Sequence, residues 1–233
     1  MHSGFSAEAI KFLRGIKRNN NREWFQKNKE VFEAELKAPM ILLVDQINHA
    51  LFEFAPEYVT DTKNAIFRFY RDTRFSNDKS PYKTHIAAWF KRNGFQDKSA
   101  AGFYFHVSAE EVIVAGGLYM PPPDQLLAVR THLLDHHERF RELGKDRKIK
   151  TLMDGFGGES LSRDPKGFPK EHPASDLIRQ KQWGYSCQLP ASLATTPKLY
   201  PELVKRFKAL TPVVNFLNEP FANRKPRREI YFD

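Results

Sequence analysis

The sequence predicts an α+β fold, in which N-terminal helices precede a central antiparallel sheet of about four or more strands and C-terminal helices pack on that sheet. Apolar residues recur at three- and four-residue spacing before residue 60 and after residue 121, which is typical of amphipathic helices. Between them lie short segments rich in aromatic and β-branched residues, which favour strands. These segments follow one another without the alternating helices of a βαβ unit, so we expect antiparallel pairing.

Four parts follow one another along the chain. They are a helical part at 1–60, a sheet-rich part at 61–120, a helical part with a short strand at 121–221, and a basic tail at 222–233. No internal repeat or low-complexity linker separates these parts. We therefore expect a single α+β domain over residues 1–233.

Three helices are predicted in the N-terminal part. Ser6 is suited to cap the first, which the asparagines at 19–21 end, and Asn21 is suited to cap the second. Proline removes a backbone donor and disfavours helix before it, so we expect an interruption at Ala38-Pro39. Pro39 is tolerated at the start of a third helix, which the Ala55-Pro56 pair closes.

The middle part predicts four strands, at 66–70, 84–90, 102–107 and 112–118. Because side chains alternate across a strand, His85, Ala87 and Trp89 share one face. Tyr104 and His106 share a face by the same rule. Residues 109 and 110 are placed like a two-residue hairpin connection between the last two strands.

The C-terminal part predicts one long amphipathic helix at 124–143 and a shorter helix through Ile149 and Met153. A short helix near 176–180 and a strand near 183–189 follow, and a last helix occupies 201–217. The tail at 222–233 is rich in arginine and is expected to be a solvated end.

Composition restricts the class of protein. The chain has 233 residues, a formal net charge of +9 and a single cysteine, Cys187, which we interpret as a small buried residue. One cysteine forms no internal disulfide and fits a reducing compartment. Glu8, Lys11 and Arg14 lie where a signal peptide needs an apolar run, and no stretch is as long and apolar as a membrane helix. We therefore expect a cytoplasmic protein with no membrane partner.

The segment 68–83 stands out, because it holds five basic and two acidic residues beside a predicted strand. Arginine suits bidentate binding of phosphate or carboxylate, so the sequence predicts an anion site if the chain turns near Asp72 or Asp78. The alternative is that these two acids pair with neighbouring arginines and hold an irregular loop on the sheet. Both interpretations stay open. The predicted ligand-binding residues are Arg68, Arg71, Arg74, Lys79, Tyr82 and Lys83.

The same segment resembles a bacterial and fungal family, domain of unknown function 2461, which is marked by R-x-x-R-D-x-R-F followed by Lys and Tyr. Arg68, Arg71, Asp72, Arg74, Phe75, Lys79 and Tyr82 occupy those positions. The segments 20–25, 116–121, 165–167 and 172–173 are similar to the family as well, so the resemblance covers nearly the whole chain. It implies that residues 68–82 are important, and it implies no particular activity or substrate.

Histidines and one aspartate are the candidate catalytic groups. His85 and His106 lie on neighbouring predicted strands near the basic segment, and histidine titrates close to neutral pH, so they are suited to acid–base work. The alternative is that they are polar residues on a half-exposed sheet. Asp72 is a third candidate. His132 and His136 have the four-residue spacing of a zinc pair, but no glutamate general base follows His132, and we predict no metal site.

The sequence favours a protein that binds a phosphate- or carboxylate-bearing small molecule at an arginine-rich cleft, with phosphoester or nucleotide chemistry as an extension. Nucleophile and phosphate-loop motifs are missing, so no reaction is assigned. The alternatives are a nucleic-acid-binding module and a protein-interaction domain in which the Arg/Asp motif is a scaffold. The sequence assigns neither a cofactor nor an oligomeric state.

Overall fold

A computed structural model describes residues 4–94 and 100–221 and confirms the predicted α+β fold, with helices at both ends of the chain and an antiparallel sheet between them. The predicted basic tail at 222–233 lies outside the described residues. Within the described residues, no helix combines the length and the apolar composition needed to cross a membrane.

The N-terminal helices begin at the predicted caps. The Ser6 hydroxyl accepts a hydrogen bond from Ala9 N–H, and the Asn21 side chain accepts one from Trp24 N–H. The helical elements here are α1 (Ala7–Arg18), α2 (Arg22–Lys27), α3 (Lys29–Val31), a π-helix (Phe32–Lys37), α4 (Ala38–Phe54), a 3₁₀ turn (Pro56–Tyr58) and α5 (Thr62–Ala65).

The predicted interruption at Ala38-Pro39 is wrong. The chain stays helical from Lys29 to Phe54, with the π-helix joined directly to α4. Pro39 lies inside this continuous helix, where proline lacks the N–H of a regular helical hydrogen bond and its ring crowds the preceding turn. The wider π-helical turn immediately before it is the local adjustment through which the helix continues.

Among the described residues, the sheet has five strands in the order β1-β2-β3-β5-β4, and each neighbouring pair is antiparallel. The strands are β1 (His85–Lys91), β2 (Gly102–Ser108), β3 (Glu111–Leu118), β4 (Gly155–Gly157) and β5 (Trp183–Pro190). Four of them match predicted strands. The short β4 was not predicted, because three residues with two glycines show no alternation of apolar and polar side chains.

The predicted strand at 66–70 is wrong as a regular strand. This segment lies antiparallel to residues 81–88, but it forms only two isolated bridges, Ile66 with Ala88 and Tyr70 with Tyr82. The first register, if continued, would pair Tyr70 with Thr84. The ladder is therefore offset by two residues and broken between the two bridges.

The C-terminal helices agree with the prediction except at one kink. The elements are α6 (Pro123–Gly144), α7 (Arg147–Leu152), α8 (Ser175–Ile178), a 3₁₀ turn (Ala191–Thr195), α9 (Leu199–Asn218) and a final 3₁₀ turn (Glu219–Phe221). His136 leaves helical geometry within α6, with φ −129° and ψ 19°, so the long helix is kinked there.

One face of the sheet packs against α9. The Phe207 ring lies 5.8 Å from the Phe90 ring of β1 and 5.0 Å from the Phe103 ring of β2. Gly116 of β3 is in contact distance of Leu210, because a Cβ at Gly116 would lie 2.9 Å from Leu210 Cδ1. These buried contacts place the hydrophobic core between the sheet and the helices.

The opposite face is polar and half-buried, and we call it the polar face. The β1–β2 register pairs Ala87 with His106 and Trp89 with Tyr104, and strand alternation puts His85 on the same side. Ala87 is 2% exposed, whereas the four larger side chains keep partial access to solvent. The prediction that these residues share a face is confirmed.

Two glycines allow β3 and β5 to approach closely at one end of the sheet. Gly117 pairs with Gly184 and has φ +154°, and a Cβ at Gly117 would lie 2.2 Å from the Trp183 carbonyl oxygen. An L side chain therefore fits neither the backbone conformation nor the space at this position.

Gly117→Ala is expected to lower the free energy of unfolding by about 1–3 kcal/mol, because the added methyl group must push two paired strands apart. Gly155→Ala in β4 is the matched control, since a Cβ there meets nothing within 4 Å. Urea denaturation of both variants measures the difference. Equal stability of the two variants would contradict the packing described for β3 and β5.

Candidate functional site

The basic segment is anchored to the N-terminal helices by Tyr82. This side chain is 1% exposed, and its ring stacks on Phe25 at 4.2 Å. The Asn20 amide donates to the Tyr82 carbonyl and accepts from the Tyr82 N–H, each at 3.0 Å. Phe69 joins the same aromatic cluster. Two segments that carry the family resemblance, 20–25 and 68–82, thus pack against each other, and Tyr82 supports the segment from its buried side.

Residues 71–80 form a loop in which most charged side chains are hydrogen-bonded to other groups of the same loop. The Arg71 guanidinium donates to the Asp78 carboxylate, and Arg74 donates two hydrogen bonds to Asp72, at 3.1 and 2.8 Å. The Lys79 ammonium donates to the Thr73 carbonyl at 3.0 Å. Three of the predicted ligand-binding cations are therefore engaged within the loop.

Both loop carboxylates remain ionised at neutral pH. The hydrogen bonds from Arg74 lower the pKa of Asp72 to about 2. Hydrogen bonds from Ser80, together with the one from Arg71, hold the pKa of Asp78 well below its usual range. Asp72, a predicted catalytic candidate, is thus the acceptor that orients Arg74, and Arg68 Nη2 lies 3.9 Å from the same Oδ2 atom that Arg74 binds at 2.8 Å. Arg68 and Arg74 meet at Asp72, whereas Arg71 is directed to Asp78.

Lys83 differs from the loop cations, because its charge has no acidic neighbour. The Lys83 ammonium stands over the Phe67 ring, 4.6 Å from the centroid. Burial lowers the pKa of Lys83, and the positive charge of Arg68 lowers it further. Within residues 4–94 and 100–221, no carboxylate forms an ion pair with this ammonium group. Lys83 and Arg68 thus place two positive charges near each other, and Arg68 is only weakly compensated by Asp72 at 3.9 Å.

The two predicted catalytic histidines lie side by side next to this charge. The ring centroids of His85 and His106 are 4.7 Å apart. Burial, His106 and Lys83 lower the pKa of His85 to about 4, and burial lowers the pKa of His106 to about 4. The two imidazoles are therefore neutral at pH 7, and each can still accept a proton.

Tyr104 and Glu111 complete the surroundings of His106. The Tyr104 hydroxyl lies 3.0 Å from His106 Nδ1, and burial is the first cause that raises the Tyr104 pKa to about 12. Glu111 Oε1 is 3.8 Å from His106 Nε2, which is too long for a hydrogen bond.

Five side chains surround Ala87, and we call them the polar-face cluster. They are Phe67, Lys83, His85, Tyr104 and His106. Ala87 pairs with His106 on one side and accepts a hydrogen bond from Phe67 N–H on the other, at 3.0 Å. The small Ala87 side chain thus lies among larger aromatic and basic groups at the outer edge of the sheet.

Sequence reasoning assigned no role to two members of this cluster. The position of Tyr104 is predictable from the sequence, because strand alternation puts it on the same face as His106. The position of Phe67 is not predictable in this way, since it depends on the offset register between segment 66–70 and residues 81–88.

The remaining histidine and cysteine candidates lie elsewhere. His132 and His136 have ring centroids 4.6 Å apart on α6, and His132 Nε2 is 3.2 Å from Glu219 Oε2. Cys187 is 2% exposed, as predicted, and its thiol accepts a hydrogen bond from Arg206 Nε at 3.1 Å. The described part of the chain contains no group of three or more His, Cys, Asp or Glu side chains arranged to hold a metal ion.

A groove of about 560 Å³ lies between α4, α6 and α9. Of its two cations, Arg139 makes two hydrogen bonds to Glu219, and Lys208 stands 5.1 Å from the Phe54 ring, as Lys83 stands over Phe67; none of its lining residues is a histidine. The polar-face cluster is therefore the better candidate for recognition of a charged ligand.

The fold and the site together define an α+β protein with histidines and uncompensated cations on one face of an antiparallel sheet. The chain belongs to the family described as Conserved hypothetical protein (DUF2461), whose model matches residues 8–216. This match confirms the resemblance inferred from the sequence. A comparison with curated proteins found no match.

Asn20→Ala is expected to reduce the free energy of unfolding by about 1–3 kcal/mol, because it leaves the N–H and carbonyl of buried Tyr82 without partners. Asn19→Ala removes one exposed hydrogen bond, to the Gly15 carbonyl, and serves as the control with a smaller loss. Chemical denaturation followed by circular dichroism compares the two. A loss at Asn19 equal to that at Asn20 would count against the anchoring role.

The histidine pair is expected to make stability depend on pH between about 4 and 6.5. The folded-state pKa values of His85 and His106 lie below the unfolded value, so the unfolded chain binds more protons in this interval. The free energy of unfolding therefore falls as the pH falls, by up to about 1.4 kcal/mol per pH unit for each histidine. Urea titrations of the wild type and of a His85→Gln/His106→Gln variant measure the two slopes, and the variant is expected to have the flatter one. Parallel slopes would show that the pair is not neutral in the folded protein.

Proposed function

We propose that this chain is a cytoplasmic protein that binds a phosphate- or carboxylate-bearing small molecule at the polar-face cluster. Lys83 and Arg68 supply the positive charge, and His85, His106 and Tyr104 supply hydrogen-bonding groups. The scaffold interpretation then describes the neighbouring loop, whose cations are used internally. Within the basic segment, the anion-site interpretation thus applies to Arg68 and Lys83, and the scaffold interpretation applies to the loop at 71–80.

The observation that carries the proposal is the state of Lys83. A half-buried ammonium group is normally paired, because desolvation of an unpaired charge is costly. Here the charged neighbour that acts on Lys83 is a second cation, Arg68. Arg68 is itself only weakly compensated, since Asp72 is 3.9 Å away and already accepts two hydrogen bonds from Arg74. An anion bound between Lys83 and Arg68 relieves this repulsion and pairs both charges.

The histidine pair adds a second means of binding. An anion near His85 favours the protonated imidazole, so the pair gains a proton as the ligand binds. With a phosphoester ligand, His85 and His106 are the groups placed to exchange a proton with it, which is where phosphoester chemistry would reside.

A nucleic-acid module is the second candidate, and the exposed aromatic residues beside these cations favour it. Phe67 is 40% exposed and Tyr119 is 74% exposed, and both lie near Tyr104 on the polar face. Binding to a polyanion falls steeply with salt concentration, whereas binding of a small anion by two cations falls less. The salt dependence of affinity separates the two candidates.

Lys83→Met is expected to abolish binding of inorganic phosphate or succinate, because it removes the uncompensated charge and keeps the length of the side chain. Lys79→Met is the matched control, since Lys79 is held by the Thr73 carbonyl outside the polar-face cluster. Thermal unfolding with increasing phosphate or succinate measures both variants. A ligand that binds only the native state raises stability by RT ln(1 + [L]/Kd), about 2.7 kcal/mol at a hundredfold excess over Kd.

The expected pattern is a ligand-dependent shift in the wild type and in Lys79→Met, and no shift in a folded Lys83→Met variant. A shift retained in Lys83→Met but lost in Lys79→Met would move the anion site to the loop. No shift of the wild type with either anion would reject the proposal.

A further inference from the structure

We propose that the ligand of the polar-face cluster is a nucleotide unit, with its phosphate between Lys83 and Arg68 and its base against the aromatic side chains of the polar face. This inference rests on the proposed function and names the ligand class. The shared chemistry is a flat heterocycle joined through a sugar to a phosphate. It is present in free nucleotides and in single-stranded nucleic acid.

The Lys83 ammonium group and the Phe67 ring are in contact at one edge of the site. The Lys83 ammonium lies 4.6 Å from the centroid of Phe67, and 40% of the Phe67 side chain is exposed. A ligand that covers this exposed ring removes apolar surface from water, which favours binding next to the half-buried cation. A simple anion such as phosphate covers the cation and leaves the ring in water.

The second step is the continuation of this aromatic surface over the sheet. The Phe67 and Tyr104 rings meet edge to face, with centroids 6.2 Å apart. Trp89 lies over Gly102 on the same face, because a Cβ at Gly102 would come within 2.5 Å of the Trp89 Nε1. The cation therefore lies at one end of a row of aromatic side chains.

The third step is Tyr119, which follows the end of β3. Its side chain is 74% exposed, and its hydroxyl is near enough to Tyr104 to raise the Tyr104 pKa. The next residue, Met120, has φ +43°, a left-handed conformation that non-glycine residues rarely adopt. The turn at Met120 fixes the direction in which the chain leaves the sheet, with Tyr119 beside the polar face.

These observations fit one physical mode of recognition. Bases stack on aromatic side chains, and each such contact contributes about 1–3 kcal/mol to binding of single strands. Cations beside the rings bind the phosphate, and polar groups such as His85 and His106 are placed for hydrogen bonds to the sugar or the base. A sugar phosphate or a dicarboxylate uses only the charged part of the site.

The test is isothermal titration of the full-length protein at constant salt with phosphate, ribose 5-phosphate, AMP, UMP and a ten-nucleotide oligo(dT). AMP or UMP is expected to bind at least about tenfold more tightly than ribose 5-phosphate, since one base stack is worth about 1.4 kcal/mol or more. Phe67→Leu is expected to weaken nucleotide binding about fivefold or more and to leave ribose 5-phosphate binding unchanged. Tyr119→Leu is a second variant at a more exposed position, with an effect in the same direction.

The matched control is Phe75→Leu, because Phe75 is 95% exposed on the neighbouring loop and outside the polar-face cluster. This variant is expected to bind nucleotides like the wild type. A tighter affinity for oligo(dT) than for mononucleotides, which weakens steeply when the titration is repeated at a higher salt concentration, assigns the nucleotide unit to a single strand and favours the nucleic-acid candidate over the small-molecule one. The reverse order assigns it to a free nucleotide, and both results support the inference.

Equal affinity for AMP and ribose 5-phosphate would overturn the inference and leave the proposed anion site intact. Nucleotide binding that neither Phe67→Leu nor Tyr119→Leu weakens would overturn it too, because the aromatic surface would then take no part. Absence of binding by all five compounds would reject the proposed function itself.

Discussion

Packing of α9 against one face of the sheet is the contact on which the other features depend. Phe207 lies against Phe90 and Phe103, and Leu210 lies against Gly116, so every second residue of the central strands is committed to the core. Because strand side chains alternate, this contact also determines which residues face away from α9. A register slip of one residue would exchange the buried and polar sets, so the same packing positions the polar face.

A second aromatic contact brings the basic segment to that face. Tyr82 stacks on Phe25 and is held by Asn20, which fixes residues 81–88 against segment 66–70. Phe67 and Lys83 are thereby brought to the outer edge of β1. In the loop between them, arginines form ion pairs with Asp72 and Asp78. Such surface pairs contribute little stability individually, but these two carboxylates are then already bound to loop arginines. The consequence is a neutral pair of histidines next to Lys83, which has no acidic partner among the described residues, and Arg68, whose neighbour Asp72 is already hydrogen-bonded to Arg74.

Much of the fold is local enough to be predicted from the sequence. The caps at Ser6 and Asn21 depend on neighbouring residues alone, and the alternation in 84–90 and 102–107 is visible in the residues themselves. The segment 66–70 has a strand-like composition, but its ladder is broken where Phe69 and Tyr82 pack against Phe25, which belongs to a helix distant in the chain. Propensity alone cannot anticipate that contact.

The candidate site was predicted in part, for a similar reason. The density of charge in 68–83 is a property of the sequence, whereas the assignment of Arg71 to Asp78 and of Arg74 to Asp72 depends on the shape of the loop. That assignment separates the cations engaged within the loop from Arg68 and Lys83. The proposed anion site therefore follows from the structure, although its two cations, Arg68 and Lys83, were predicted from the sequence.

The central claim is that Lys83 and the weakly compensated Arg68, next to the histidine pair, bind the ligand. Backbone amide NMR of the wild-type protein during a phosphate titration tests it most directly. The account predicts saturable shift changes centred on residues 67–68, 83–87 and 104–106. Saturable changes confined to the loop at 72–79, or no changes that saturate, would contradict it.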